Sequence, residues 1–242
     1  MLERIRRNRG RLAEELGESR HRDFSAAQAS RCREAERLIS GHATGRVLDV
    51  GCGHMPFRRL ALRHAATYEG LDIEPRVAGV DYVTDVGAMA GVPSNAFDTV
   101  LCFEVLEHVP DPDRALASMA GVLRPGGKLL VTVPHLSRLH EEPHDYFRYT
   151  GYGLRALVER AGLEVLELVP HAGVVSFLAH QISTVGLGLV WDIPGLRQLA
   201  YQMNRFIFVY PALWIDRVVD RRHLFPLGYA LVARKPGGTT RP

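Results

Sequence analysis

From about residue 46 onward, short apolar runs alternate with longer stretches of mixed character. The runs are RVLDV (46–50), YEGLDI (68–73), DYVTDV (81–86), DTVLCF (98–103), KLLVTVP (128–134), LEVLELV (163–169) and GYALVARK (228–235). Most of these short, β-branched runs are continuous, as in strands buried on both faces of a parallel sheet. The segments between them are long enough to return as crossover helices. One helix is predicted over 112–123, closed by Pro125-Gly126-Gly127, and another over 151–162, ended at Gly162. This order predicts a doubly wound α/β layout. Residues 1–40 read as polar N-terminal helical segments. A helical insertion is predicted over 171–223, before the last strand. It holds a charge-free stretch from Ala172 to Trp191 and a second apolar run, FIFVYPALWI (206–215). The sheet domain is then 41–170 with 224–236, and the tail beyond Pro236 is expected to be disordered.

Composition narrows this picture. With 242 residues the chain can bury one substantial core. Its net charge of +3 weighs against wholesale nucleic-acid binding, which needs a dense basic stripe. Arg4, Arg6, Arg7, Arg9 and Arg11 cluster near the start. Such a run is ordinarily a solvated face, the alternative being contact with an anionic surface or substrate. Cys32, Cys52 and Cys102 lack metal-type spacing, and a reducing cytoplasm is expected. The charged N-terminus has no apolar signal core, so secretion is not expected.

The chemistry begins at VLDVGCG (47–53), which is expected to end a strand and open a helix. Gly51 and Gly53 let the backbone approach a ligand without a Cβ in the way. Asp49 stands at the carboxyl end of its strand, where open α/β sheets bind ligands. Asp72, at the tip of the next strand, can accept from two ribose hydroxyls. A dinucleotide site would carry a third glycine where this chain has Pro56. Asp49 would also sit badly beside a pyrophosphate, but well beside an amino acid's ammonium group. A nucleoside joined to an amino acid fits better.

VLDVGCG, GLDI, TDV, FDTVLCFEVLEHVPDP and LRPGGKLLVTVP resemble, in order and spacing, the motifs of class I S-adenosylmethionine-dependent methyltransferases. The resemblance covers about residues 45–170 and resumes at the last strand. It implies a Rossmann-like seven-stranded sheet with an antiparallel last strand, and S-adenosylmethionine as cofactor. Asp49, Gly51 and Gly53 would line the methionine part, with Cys52 between the glycines. Asp72 would hold the ribose and Ile73 would touch the adenine. Asp85 would accept from the adenine amino group, with Val86 beside it, although Asp85 could instead end a turn. Phe103 and Glu104 would face the sulfonium. His54-Met55-Pro56 departs from the common pattern and resembles a bacterial subgroup with a Pro-aromatic pair, here Pro56-Phe57.

Methyl transfer from a sulfonium mainly requires alignment of donor and acceptor. An alcohol acceptor also needs a base or a metal. Glu104, Glu107 and His108 are spaced i, i+3, i+4, which on one helical turn places all three on a face. Such a set suits Mg²⁺, Mn²⁺, Fe²⁺ or Zn²⁺, with a further ligand from VPHLSRLHEEPHDYFRYT (133–150), which holds His135, His140, His144 and Asp145. The set is similar to two metal-dependent branches of the family. One is the small-RNA 2′-O-methyltransferases, whose extra histidine is roughly matched by His144. The other is the ubiquinone-pathway O-methyltransferases. Metal-free relatives share Glu-His-Val, and without a metal His135 or His144 is the candidate general base.

The resemblance to bacterial glycan and natural-product enzymes, carried by PHDYFRYT, points to O-methylation of a small molecule or saccharide. An RNA acceptor and a non-catalytic scaffold are the alternatives. The insertion would cover the acceptor site. Three readings are open for it: packing on the core, lining a pocket for a lipid-like acceptor, or docking on the inner membrane surface through Trp191, Tyr201, Tyr210 and Trp214. A homodimer is a further candidate. His180, Gln181 and the hydroxyls of Ser176, Ser183 and Thr184 weigh against a bilayer span.

Overall fold

In a computed structural model, the described residues are Asn8, 22–193 and 195–237. The arginines at 4, 6, 7, 9 and 11 and the tail from 238 onward lie outside them. Seven strands form one sheet: β1 (Arg46–Val50), β2 (Thr67–Asp72), β3 (Tyr82–Val83), β4 (Phe97–Phe103), β5 (Leu123–Pro134), β6 (Glu164–His171) and β7 (Gly228–Arg234). Their spatial order is β3-β2-β1-β4-β5-β7-β6, with the last strand antiparallel. β1 pairs in parallel with both β2 and β4. The order therefore reverses between β1 and β4, the place where open α/β sheets form a ligand crevice at strand carboxyl ends.

The period of two along each strand divides the core between two faces. Leu48, Val50, Val100 and Leu129 pack with Leu116 and Met119 of α3 (Pro112–Val122) and Leu154 of α4 (Gly151–Arg160). Val47, Leu101, Leu130 and Val232 face the other way, against Leu38 and Ile39 of α1 (Ala26–His42) and Ala61 of the short α2 (Arg58–Ala61). The polar helix expected before the sheet thus has an apolar face and runs past residue 40. Asp111 caps α3 by accepting from the Arg114 amide at 3.1 Å, and Thr150 caps α4 through the Gly153 amide at 3.1 Å.

Three details depart from expectation. The run 81–86 supplies only a two-residue strand, because from Asp85 onward the chain turns through Asp85-capped amides. Pro125-Gly126-Gly127 does not merely stop α3. The helix ends at Val122, and these residues lie within β5, paired to Lys235 by Gly126 N–H donating at 2.8 Å. Helices are also sparse between β2 and β4, where the chain crosses through turns.

The described residues divide into two compact units: 34–169 with 229–237, and 22–33 with 170–228. The second is helical, with α5 (Val174–Val190), α6 (Leu196–Asn204), a π-helical turn (Arg205–Val209) and α7 (Tyr210–Val219). Gly173 precedes α5 and offers no capping side chain. Buried Asp216 of α7 takes that role, accepting from the amides of Val175 at 2.9 Å and Ser176 at 3.0 Å. A Cβ at position 173 would meet Asp216 at 2.9 Å, which explains the glycine. No helix among the described residues is long and apolar enough to cross a membrane.

Asp216→Ala should therefore destabilise the helical unit by about 1–3 kcal/mol, because two buried amides lose their acceptor. Denaturant unfolding followed by circular dichroism measures this, and an unchanged transition would refute the capping role.

Candidate active site

The loop after β1 is shaped for close approach. Gly51 and Gly53 have φ of +68° and +53°, in the left-handed region. A Cβ on Gly51 would lie 2.4 Å from Val105 Cγ2. The amides of Gly51 and Cys52 both donate to the Leu71 carbonyl, at 2.8 and 3.0 Å, tying the loop to β2. Asp72 finishes the tie: its carboxylate accepts from the Gly53 amide at 2.8 Å and the Glu74 amide at 3.3 Å. Each oxygen keeps lone-pair capacity for a ligand.

Asp49 is buried beneath this loop and accepts a hydrogen bond from the Tyr68 hydroxyl. Burial pushes its carboxyl up to about 7; the Tyr68 bond opposes the rise and the nearby Asp72 charge adds to it. No cation is among the groups that act on it. Two buried acids one strand apart thus favour a positively charged ligand group. Ile73 stands exposed next to Asp72, an apolar surface at the lip of the loop, and Val86 is buried. Asp85 accepts from the Gly87 amide at 2.8 Å and so performs the turn role. Phe103, at the end of β4, meets Phe57 edge-on with ring centroids 5.3 Å apart.

Glu104 does not share a helical turn with Glu107 and His108. It sits at φ +55°, with its amide donating to the Thr132 carbonyl at 3.0 Å, and only Leu106–His108 form a 3-10 turn. That turn aims Glu107 and His108 together, and the loop after β5 brings in His140. Glu107 Oε1 lies 3.7 Å from His108 Nε2 and 3.9 Å from His140 Nε2. One ligand atom from each residue lies within 4.8 Å of the other two. Ligand distances of about 2.0–2.6 Å put neighbouring donor atoms roughly 3–5 Å apart, so the set has metal-site dimensions.

The surrounding bonds orient the two histidines. His108 Nδ1 meets the His144 carbonyl at 2.6 Å. A carbonyl only accepts, so Nδ1 carries the proton and Nε2 presents a lone pair towards Glu107. His140 Nδ1 lies 3.3 Å from both the Arg138 carbonyl and the donating Arg148 Nη2, and its Nε2 faces Glu107 at 3.9 Å. Burial lowers the pKa of His140, keeping it neutral. One carboxylate and two imidazoles at this spacing form a donor set that fits a divalent ion. Asp145, held at about 2 by its bond to Arg148, accepts from that guanidinium at 2.6 and 2.7 Å and from the His140 amide at 2.8 Å.

Among the sequence candidates, the structure brings Glu107 and His108 together with His140. It leaves His144 aside: its Nδ1 lies 3.1 Å from the Tyr146 hydroxyl, and its contribution to the cluster is its carbonyl. His135 follows β5 with its ring edge on Tyr229, centroids 5.6 Å apart, and its buried Nδ1 has no hydrogen-bond partner. Among the loop histidines the sequence offered as a further ligand, His144 was preferred and His140 is the one that converges; the residue missed was Arg148, behind Asp145. The available signal was an acid five residues after a histidine and an arginine three further on.

The fold and the strand-end loop define the class: S-adenosylmethionine-dependent methyltransferases of the Rossmann-like type. A family model described as a methyltransferase domain matches residues 3–168, and the chain belongs to that family. A ubiquinone biosynthesis O-methyltransferase of Xanthomonas euvesicatoria is 38% identical over 103 residues, spanning 37% of this chain and 43% of the relative. The corresponding Ralstonia nicotianae protein is 31% identical over 163 residues, spanning 53% of this chain and 68% of the relative. The chain thus spans less than half the length of the first of these relatives. The solved [4+2]-cyclase SpnF is similar in fold, with a TM-score of 0.55 and 23% identity over 84% of this chain and 80% of that one.

Asp72→Ala should weaken S-adenosylhomocysteine binding at least about tenfold, roughly 1.4 kcal/mol. Isothermal titration calorimetry reads this directly, and undiminished affinity would place the nucleoside elsewhere.

Proposed function

We propose that the protein transfers a methyl group from S-adenosylmethionine to a hydroxyl oxygen of a small molecule, with a divalent ion held by Glu107, His108 and His140. The observation that carries this reading is the convergence of the Glu107 carboxylate with the His108 and His140 imidazoles, within 4.8 Å of one another, at the ends of β4 and β5. A methyl transferase acting on an amine or thiolate needs no such set, whereas an alcohol needs a base or a metal, and this set can supply the metal. The names of the Xanthomonas and Ralstonia relatives, both O-methyltransferases, agree with oxygen as the acceptor.

In this reading Asp49 accepts from the ammonium group of the cofactor's methionine part, and Asp72 accepts from the ribose hydroxyls. Gly51 and Gly53 keep the loop close enough for both. Ile73 and Val86 flank the adenine, with Asp85 nearby. Phe103 and Glu104 stand at the sulfonium end. A bound divalent ion would supply a Lewis acid that lowers the pKa of the acceptor hydroxyl. Glu107 provides the charge that holds it, and His108 and His140 provide neutral nitrogens. The His144 carbonyl and the Asp145–Arg148 pair orient the two rings. His135 lines the end of β5 as a further candidate proton acceptor. The acceptor is a phenol-like or sugar hydroxyl, the former suggested by the relatives' pathway.

Activity with a catechol acceptor should fall at least about a hundredfold after EDTA treatment and return on adding Mn²⁺ or Zn²⁺. Glu107→Gln should abolish Mn²⁺ binding, and Asp145→Asn should weaken it about 10- to 100-fold through loss of ring orientation. Affinity should drop as the pH falls below about 6, since protonated imidazole cannot ligate. Full activity in excess EDTA would remove the metal from the reaction.

A further inference from the structure

The helical unit has its polarity reversed. An ordinary surface helix buries an apolar stripe and shows a polar one to water. α5 buries Ser176, His180, Ser183 and Thr184, and exposes Leu178, Ile182 and Val185 at spacings of four and three. α6 buries Tyr201 and Asn204 and exposes Leu196, Leu199 and Met203. The π-helical turn exposes Phe206 and Ile207. α7 buries Asp216 and exposes Trp214, Val218 and Val219. Three of the buried polar groups bond internally: Ser183 Oγ donates to the Ala179 carbonyl at 2.8 Å, Asn204 Nδ2 donates to the Phe24 carbonyl at 2.8 Å, and Asp216 caps α5. Each of three consecutive helices thus exposes apolar side chains, an arrangement that water alone does not favour.

The charges on the same unit select what covers it. Among the described residues 170–228, every exposed charged side chain is an arginine: Arg197, Arg217, Arg221 and Arg222. Of the three acids, Asp216 and Asp220 are buried in capping bonds, and Asp192 is half-buried. Arg217, Arg221 and Arg222 follow Trp214 at the end of α7. A second copy docking the same side chains would set these arginines against each other, with no exposed acid among the described residues 170–228 to answer them. No helix among the described residues is long and apolar enough to span, so their insertion would be in the plane of an interface.

We propose that this face docks on an anionic lipid bilayer, with Leu199, Phe206 and Trp214 entering the acyl boundary and the α7 arginines meeting lipid phosphates. Trp191 and Tyr201, candidates for such contact from sequence, are buried at 5% and 1% exposure and form the unit's own core instead. The inference stands apart from the methyl-transfer reading, since it uses no residue of the strand-end site.

The test is co-sedimentation of the full chain with phosphatidylcholine vesicles, with and without about one-third phosphatidylglycerol. Binding is expected on the anionic vesicles, at least about tenfold weaker on the neutral ones, and diminishing with salt. Trp214 emission should shift to the blue on binding, because the other tryptophan is already buried. A Leu199→Ser/Phe206→Ser variant and an Arg217→Gln/Arg221→Gln/Arg222→Gln variant should each lower partitioning at least about tenfold. Both should keep the wild-type melting curve and S-adenosylhomocysteine affinity. No binding to either vesicle, or binding that both folded variants retain, would overturn the proposal. So would a concentration-dependent dimer in analytical ultracentrifugation that Leu199→Ser/Phe206→Ser abolishes while vesicles go unbound.

Discussion

The structure turns on two buried carboxylates placed at adjacent strand ends without a compensating cation. Asp49 and Asp72 are both nearly inaccessible, and burial holds Asp49 near neutrality instead of in the usual carboxylate range. Such groups oppose folding unless something uses them. Here Asp72 organises the loop through the Gly53 and Glu74 amides, and Asp49 accepts from the Tyr68 hydroxyl. The positive φ of Gly51 and Gly53, the Leu71 carbonyl that gathers two amides, and Gly51's closeness to Val105 all serve that arrangement. The reversal of strand order between β1 and β4 then sets the end of β4, and everything attached to it, beside the same crevice.

What distinguishes this chain from a bare fold is the cluster that follows β4. The likeness to a cyclase shows that the architecture does not settle the reaction, so the reading rests on side chains. Glu107, His108 and His140 are held by a second layer: the His144 carbonyl, Asp145 and Arg148. The loop carrying that layer is pinned to the 3-10 turn, with the Tyr146 amide donating to the Glu107 carbonyl at 2.8 Å and the Tyr149 hydroxyl to the Leu106 carbonyl at 2.9 Å. Ligands and supports are therefore fastened to one another.

The sheet and its glycine loop were legible in the sequence because period-two burial and a strand-ending Gly-x-Gly are local signals. The choice between His140 and His144 was not. It depends on Asp145 gathering the Arg148 guanidinium and the His140 amide, which turns His140 inward, and such loop bonding leaves no periodic trace. The helical reading of Glu104 failed because its positive φ breaks the turn before Leu106. The apolar insertion was visible as a charge-free run, but composition alone does not say which face of a helix is outward. The reversal at Ser176, His180 and Thr184 against Leu178, Ile182 and Val185 emerged only from packing.

The central claim is that Asp49 meets the cofactor's positive charge. A cationic ligand favours the ionised carboxylate, so binding should lower a pKa of about 7 and expel a proton wherever the free protein still holds one. Calorimetric titration with S-adenosylmethionine in buffers of different ionisation enthalpy counts that proton. The account predicts close to one proton released at about pH 6 and none at about pH 8.5, with the release absent in Asp49→Asn. Binding without proton release at pH 6, or release that Asp49→Asn retains, would contradict it.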